Sequence, residues 1–370
     1  MKILYATYAR LPTRKAHGLQ IIKTCEALTS LGVEVVLLVA LRRGSDAEEI
    51  HRVYDIKNRF VIHAIHIPSF FWLGRVGFWL SEGLFAWRVR GYIRREKPDI
   101  VYSRDELPLL VSPREKIKVY EAHTPRWNLF TKWLVDRVDL FISITGGLER
   151  WYQSKGVSGR MAVVPDAVSV SQFRNAGNHT TSRLKCGISE SGPIVSYIGQ
   201  LYSEKGAWLL AEAARYLPGD IHFYFVGGWA REVDRFRAKY GQSPNIHITG
   251  YVPHNLVPSY MAGSQVLVLP NTLTDEISSN FTSPMKLFEY MASGVPIVAA
   301  DVPAVREILT EETALFFEAD KPKDLAAKIQ EIINHSEQAI ARSEKAQIEV
   351  LKYSWQERAR KISNLLESIK

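Results

Sequence analysis

The chain has 370 residues, 46% of them hydrophobic and 23% charged, with 47 Lys and Arg against 39 Asp and Glu for a net charge of +8. At roughly 100–200 residues per domain this length predicts two domains, or three, and excludes a single small module. The ordinary composition excludes global disorder. The charge is uneven: residues 1–190 hold 29 basic and 18 acidic side chains, and residues 191–370 hold 18 and 21. Only Cys25 and Cys186 are present, too few for a disulfide framework or a metal-type spacing, which fits a reducing compartment. The opening apolar run 3–9 stops at Arg10 with no small-residue cleavage site behind it, so it reads as a first strand rather than a secretory signal. No run of about 18 apolar residues occurs, so no transmembrane helix is predicted and a cytoplasmic location is expected.

Taken in order, short β-type runs recur at 2–8, 33–40, 61–67, 99–104, 118–123 and 140–145, with helical segments between them. Near-continuous apolar character, as in Val35-Val36-Leu37-Leu38-Val39, is what a strand covered on both faces requires. The pattern restarts at 194–199, 221–227, 245–250, 265–270, 295–300 and 314–317. Two doubly wound α/β domains of similar size are therefore predicted. The stretch 169–192, rich in Ser, Thr, Asn and Gly, reads as a linker with the boundary near 175–191. Residues 322–347 are amphipathic and charged. A last helix is expected after Ser354, which is placed to cap it. Open parallel sheets bind ligands at the carboxyl ends of their strands, so two such domains could hold two ligands.

The most informative segment is Thr282-Ser283-Pro284-Met285-Lys286-Leu287-Phe288-Glu289-Tyr290-Met291-Ala292-Ser293-Gly294-Val295-Pro296. Ser283 is suited to cap a helix, Pro284 to its first position, and Gly294 to its left-handed end. The free amides and partial positive charge of such a helix start form a seat for phosphate oxygens. Met285, Phe288 and Ala292 are expected on its buried face. For Glu289 the plain alternative is an i,i+3 ion pair with Lys286 on a solvated face. A second loop, Gly199-Gln200-Leu201-Tyr202-Ser203-Glu204-Lys205-Gly206, follows the first strand of the second half. Its glycine lets a ligand approach the backbone, and Lys205 can reach a diphosphate as a point charge.

With these segments in view the chain resembles retaining glycosyltransferases of family 4, which have the GT-B fold: two Rossmann-like doubly wound domains facing across a cleft, with a C-terminal helix returning to the first. The resemblance also rests on Ala16-His17-Gly18-Leu19-Gln20, Asp99-Ile100-Val101-Tyr102-Ser103-Arg104, Tyr120-Glu121-Ala122-His123, Ile142-Ser143-Ile144-Thr145, Val164-Pro165-Asp166-Ala167-Val168, Val226-Gly227-Gly228 and Gly250-Tyr251-Val252. It implies an acceptor domain over 1–180, a nucleotide-sugar domain over 191–350 and a returning helix over 351–370. It further implies that Lys205 contacts the diphosphate with Gly199, Gln200, Thr282 and Ser283 around it. Glu289 would hold the ribose, and the backbone at Tyr251 and Val252 would receive the base. His123 matches the family's histidine near the transferred sugar, and His17, on the acceptor side, and Gly18, on the donor side, would approach the same centre. The catalytic set so implied is His123, Lys205 and Glu289.

Two departures stand out. Phe281 occupies the position of a glutamate that commonly touches the donor sugar, and Gln200 that of a common arginine. Asp275 and Glu276 are candidates to substitute for the glutamate, against the plainer reading of a solvated loop. Arg104 is an acceptor-side candidate, against a surface ion pair with Asp105 or Glu106. Glycosyl transfer needs the leaving diphosphate stabilised, which Lys205 and the helix start would do without a metal or other cofactor; no Asp-x-Asp string occurs.

Residues 70–97 carry Phe70, Phe71, Trp72, Phe78, Trp79, Phe85 and Trp87, then Arg88, Arg90, Arg94, Arg95 and Lys97. This pattern fits an anionic membrane surface presenting a lipid-linked acceptor; the alternative is a core helix ending in a solvated basic turn. A catalytically silent nucleotide-sugar-binding protein of the same fold is the competing function. A nicotinamide dehydrogenase is disfavoured because neither first strand leads into Gly-x-Gly-x-x-Gly. The basic half carries no nucleic-acid recognition motif, so no nucleic-acid partner is expected.

Overall fold

The computed structural model describes every residue except Arg42, Arg43, Ser69 and Lys370, with the Phe71 side chain also outside the described set. It divides into two compact units, Met1–Asp166 with Trp355–Lys370, and Ala167–Ser354.

The first unit holds β1 (Lys2–Leu11), β2 (Glu34–Leu41), β3 (Val61–Ile65), β4 (Ile100–Ser103), β5 (Ile117–Ala122), β6 (Leu140–Ser143) and β7 (Met161–Val163). They form one parallel sheet in the order β3-β2-β1-β4-β5-β6-β7. The apolar runs predicted as strands are these strands, and in β2 every residue after Glu34 is buried, as helices on both faces demand. The sequence reading missed β7, a three-residue, half-buried edge strand too short to show a period. The second unit holds β8 (Ile194–Ile198), β9 (His222–Val226), β10 (Ile246–Gly250), β11 (Val266–Leu269), β12 (Ile297–Ala300) and β13 (Leu315–Phe317). Their order is β10-β9-β8-β11-β12-β13, again parallel. In each sheet the strand order reverses beside the first strand, between β1 and β4 and between β8 and β11. Loops at the carboxyl ends of those strands are where such folds bind ligands.

The chain passes from one unit to the other at Asp166–Ala167, ahead of the expected 175–191. The stretch read as a linker contains the helices Val170–Arg174 and His179–Cys186, which pack on Met285–Ser293 and Val257–Ala262 respectively. Asn178 caps the second of them by accepting the Thr181 amide at 2.9 Å, so a polar composition here signals caps, not a structureless connector. The amphipathic stretch is the two helices Pro322–Asn334 and Ser336–Glu349. Ser354 makes an isolated bridge with Val168, and the helix Trp355–Glu367 that follows packs on Ala16–Ser30 of the first unit.

Residues 70–97 form a short turn, Phe71–Leu73, and the helix Gly74–Glu96. One stripe is core: Phe85, Ala86, Val89 and Ile93 are buried. Val76, Phe78, Trp79, Leu80 and Trp87 of the helix, and Trp72 before it, are exposed, so the core-helix reading holds for one stripe only. No helix among the described residues is long and apolar enough to cross a membrane.

Candidate functional site

In the first unit the loops after β1, β4 and β5 bring together His17, Gly18, Arg104 and His123. Gly18 lies in the first turn of Ala16–Ser30, where a Cβ would stand 2.3 Å from the Tyr54 hydroxyl, so only glycine lets this helix start sit against the loop that Tyr54 ties at Thr13. His17 beside it is half-buried. Burial first, then the cations Arg104 and Lys15, push its pKa down to about 4, so it is neutral at pH 7. Arg104 does not form the surface pair considered for it: its Nη1 donates to Gln20 Oε1 at 2.7 Å. Asp105 is engaged by the Thr7 hydroxyl and Tyr8 amide, and Glu106 by Arg126 and Thr131.

His123 is held by a residue the sequence reading did not single out. Its Nε2 is 2.6 Å from Oε1 of Glu121, a fully buried carboxylate. Burial alone would raise the Glu121 pKa, but Arg358, His123 and Arg104 override it and hold the group well below the ordinary carboxylate range. Arg358, from the last helix, donates to the same oxygen at 2.7 Å. Two sequence signals point to this cluster. Glu121 and His123 are two apart at the end of a run read as a strand, a spacing that puts both on one face, and Arg358 lies on the apolar stripe of Trp355, Ala359, Ile362 and Leu366.

In the second unit Gly199 follows β8 with φ of +149°, and its amide bonds to the Val226 carbonyl at 2.9 Å. Gln200 comes next, its Oε1 buried without a hydrogen-bond partner among the described residues. Lys205 ends a short turn before Gly206, which has φ of +76° and passes so close to the end of β11 that a Cβ would lie 1.6 Å from the Pro270 carbonyl oxygen. That close approach places Lys205 beside the segment leading to the Met285–Ser293 helix.

This helix begins one residue later than predicted. Pro284 occupies the cap position, no side chain caps the start, and buried Ser283 and half-buried Thr282 precede it. A proline at the cap position brings no side-chain acceptor of its own to the first-turn amides, which suits this end to an anion. Gly294 ends the helix with φ of +73°. Phe288 and Ala292 are buried, but so are Leu287, Glu289, Tyr290 and Met291, and Met285 is only partly so; the helix is enclosed almost all round.

The solvated Lys286–Glu289 pair is not present. Glu289 is buried with its Oε1 3.4 Å from His254 Nε2, and Lys286 Nζ lies 4.2 Å above the Tyr197 ring. Burial, followed by the nearby charge of Lys205, lowers the Lys286 pKa to about 7 against the opposing pull of Glu289. Among the described residues neither lysine side chain has an ion-pair partner. Lys286 and His254 are therefore two further residues of this site that sequence reasoning missed; Lys286 was in view but read only as a partner for Glu289.

Tyr251 and Val252 follow β10, the first exposed and the second packed against the core. Phe281 is buried at the end of the turn Ile277–Phe281. Asp275 accepts the amides of Ile277 and Ser278 at 3.3 and 3.1 Å, while Glu276 is exposed, so the pair differ in kind. Among the described residues no group of three or more His, Cys, Asp or Glu is placed to hold a metal ion.

Comparison with known proteins covers both units. Residues 19–172 match the model described as Glycosyltransferase Family 4, and residues 192–335 match that described as Glycosyl transferases group 1. Among curated relatives, a D-inositol 3-phosphate glycosyltransferase of Corynebacterium urealyticum is 25% identical over 64% of this chain and 58% of its own. The chain spans about half the length of the curated relatives it matches. Among solved structures, sucrose-phosphate synthase from Thermosynechococcus elongatus superposes with a TM-score of 0.79 at 16% identity, covering 100% of this chain and 98% of that one. Anabaena HepE in complex with UDP-glucose gives 0.75 at 16% identity, covering both chains completely.

Proposed function

Because the chain belongs to glycosyltransferase family 4, the group 1 glycosyltransferases with the GT-B fold, we propose that it moves a sugar from a nucleotide-diphosphate sugar to a glycan or lipid-linked acceptor with retention of configuration. The observation that carries this is the convergence of two lysines without ion-pair partners among the described residues, Lys205 and Lys286, near the start of the Met285–Ser293 helix, with buried Glu289 one turn further on. Two cations and a row of amides match a diphosphate dianion, and a carboxylate within the next turn matches a pair of ribose hydroxyls. In this reading Gly199 and Gln200 line the phosphates, Thr282 and Ser283 flank them, and the backbone at Tyr251 and Val252 takes the base. The solved HepE complex with UDP-glucose supports a nucleotide sugar as the donor class.

As the glycosidic bond breaks, negative charge grows on the leaving diphosphate. Lys205, Lys286 and the helix amides stabilise it with positive charge already in place, so the reaction is assigned no metal or other cofactor. In the first unit, His123 and Gly18 are assigned to the sugar, and His17 and Arg104 to the acceptor side, Arg104 meeting an anionic acceptor. Exposed Trp72, Phe78, Trp79 and Trp87 beside Arg88, Arg90 and Arg94 suit an anionic bilayer surface, which would deliver a lipid-linked acceptor to a peripheral enzyme. The test is a thermal-shift screen against UDP-, GDP-, ADP- and TDP-sugars. A shift with at least one, with turnover once an acceptor is supplied, is expected. No shift with any defeats the proposal, and tight binding without transfer or donor hydrolysis favours the silent binding protein.

A further inference from the structure

The most completely enclosed charges of the first unit surround one carboxylate. Glu121 Oε1 accepts from Gln20 Nε2 at 2.7 Å, Arg358 Nη2 at 2.7 Å and His123 Nε2 at 2.6 Å, and its Oε2 accepts from the Tyr102 hydroxyl. A carboxylate has about four acceptor sites, so this one is saturated. Arg358 is held just as fully: its Nε donates to the Pro165 carbonyl at 2.9 Å and its Nη1 to the Thr24 hydroxyl at 3.0 Å. Charged groups so deep in a core are dispensable for stability, since apolar residues of similar volume commonly do as well. The only member of the cluster that reaches the ligand end of the sheet with a free ring atom is His123, whose Nδ1 has no hydrogen-bond partner among the described residues.

The proton on His123 follows from these contacts. An ionised carboxylate only accepts, so the imidazole must donate to it, and the donor is Nε2–H. The neutral ring then keeps its lone pair on Nδ1. We infer that Glu121 and Arg358 are positioning residues that hold His123 in the Nε2–H tautomer, so that it meets a ligand hydroxyl as a hydrogen-bond acceptor through Nδ1. The inference rests on the reading above in which His123 borders the sugar. Arg104, His17 and Asp166 complete the charged and titratable surroundings of the ring. The last helix thereby has a role in the site: it delivers the guanidinium that fixes the carboxylate, which fixes the imidazole.

The tautomer is read directly by nitrogen-15 NMR of the His123 ring in the full chain, assigned by its loss in His123→Asn. A protonated Nε2 and unprotonated Nδ1 are expected above the pH at which the ring loses its charge; the opposite tautomer overturns the inference. In Glu121→Gln the new amide can donate to Nε2, so the ring is expected to shift toward Nδ1–H and sugar transfer to fall about 10–100-fold, mainly in kcat. Arg358→Lys, which keeps a cation at the carboxylate, is expected to retain the wild-type tautomer and most of the activity. An unchanged ring spectrum and pH profile in folded Glu121→Gln also overturns the inference, and if that variant does not fold the wild-type spectrum still decides. Because the spectrum is recorded without donor, the expected tautomer in a protein that no nucleotide sugar stabilises would leave the positioning intact and defeat the functional reading alone.

Discussion

The two strand-end sites are built on opposite principles. In the first unit the charges are already matched: Glu121 and Arg358 neutralise each other in the core, and Arg104 rests on Gln20. In the second unit Lys205 and Lys286 stand near each other without ion-pair partners among the described residues, and burial, then their repulsion, drives Lys286 toward neutrality. A matched site is rigid before any ligand arrives, whereas a site of unpaired like charges is completed only by an anion. The first is suited to orienting neutral hydroxyls and the second to gripping a diphosphate.

The largest effect that could break this contrast lies in the second unit. Lys205→Ala and Glu289→Ala are each expected to reduce sugar transfer by about 10²–10³-fold, the usual cost of removing one group that stabilises developing charge or orients the donor. Steady-state kinetics with the donor found in the thermal screen measures this, and near-wild-type rates would remove both residues from the site.

Next is the stability of the first unit. Arg358→Met leaves Glu121 as an uncompensated buried charge and is expected to cost about 3–5 kcal/mol by denaturant unfolding. Glu121→Gln with Arg358→Met should recover much of that loss, because neither charge then remains. A double variant no more stable than the single one would mean that the pair is not the matched unit described.

A smaller effect concerns pH. Lys286 is about half protonated near pH 7 when free, and a bound diphosphate favours its charged form. Donor binding therefore takes up a proton above pH 7, and affinity should fall by up to about tenfold per pH unit from 7 toward 9, then level off above the bound-state pKa. The donor must be a nucleotide sugar, whose diphosphate does not itself titrate in this range. Calorimetry in buffers of different ionisation enthalpy reads the proton, and Lys286→Met should bind more weakly with a flat profile. No proton uptake in the wild type would show that Lys286 does not meet the diphosphate.

The mildest perturbation is at the exposed aromatics. Trp72→Ser with Trp87→Ser should shift stability by less than about 1 kcal/mol, since both rings are largely in solvent. The same change should lower flotation with anionic vesicles several-fold. Vesicle binding by neither protein would detach the aromatic helix from any membrane role.

Much of the molecule was legible in the sequence. Among the described residues, twelve of the thirteen strands coincide with runs read from the sequence, most plainly those such as Glu34–Leu41 that are buried on both faces and so apolar almost throughout. Met161–Val163 was not, because a short edge strand is specified by its neighbour rather than by its own pattern. Gly294 announced its turn, since its left-handed conformation is cheap only for glycine. The candidate site was half legible. Lys205 and Glu289 stand out in chemically suggestive strings. The surroundings that give a residue its state do not, and Glu121 passed unremarked two residues from His123.

What the amino-acid order determined by itself is local: where strands and helices form, where the chain turns, and which loops present a lysine, a histidine or a helix start. Tertiary structure alone decided which charges meet. It brought Arg358 onto a carboxylate 237 positions earlier in the chain, and it set Lys286 over the Tyr197 ring instead of in an ion pair with the Glu289 three residues on. The reason is physical. Propensity and periodicity act over a few residues, whereas desolvation and Coulomb energy depend on whatever lies within a few ångströms after the chain has folded.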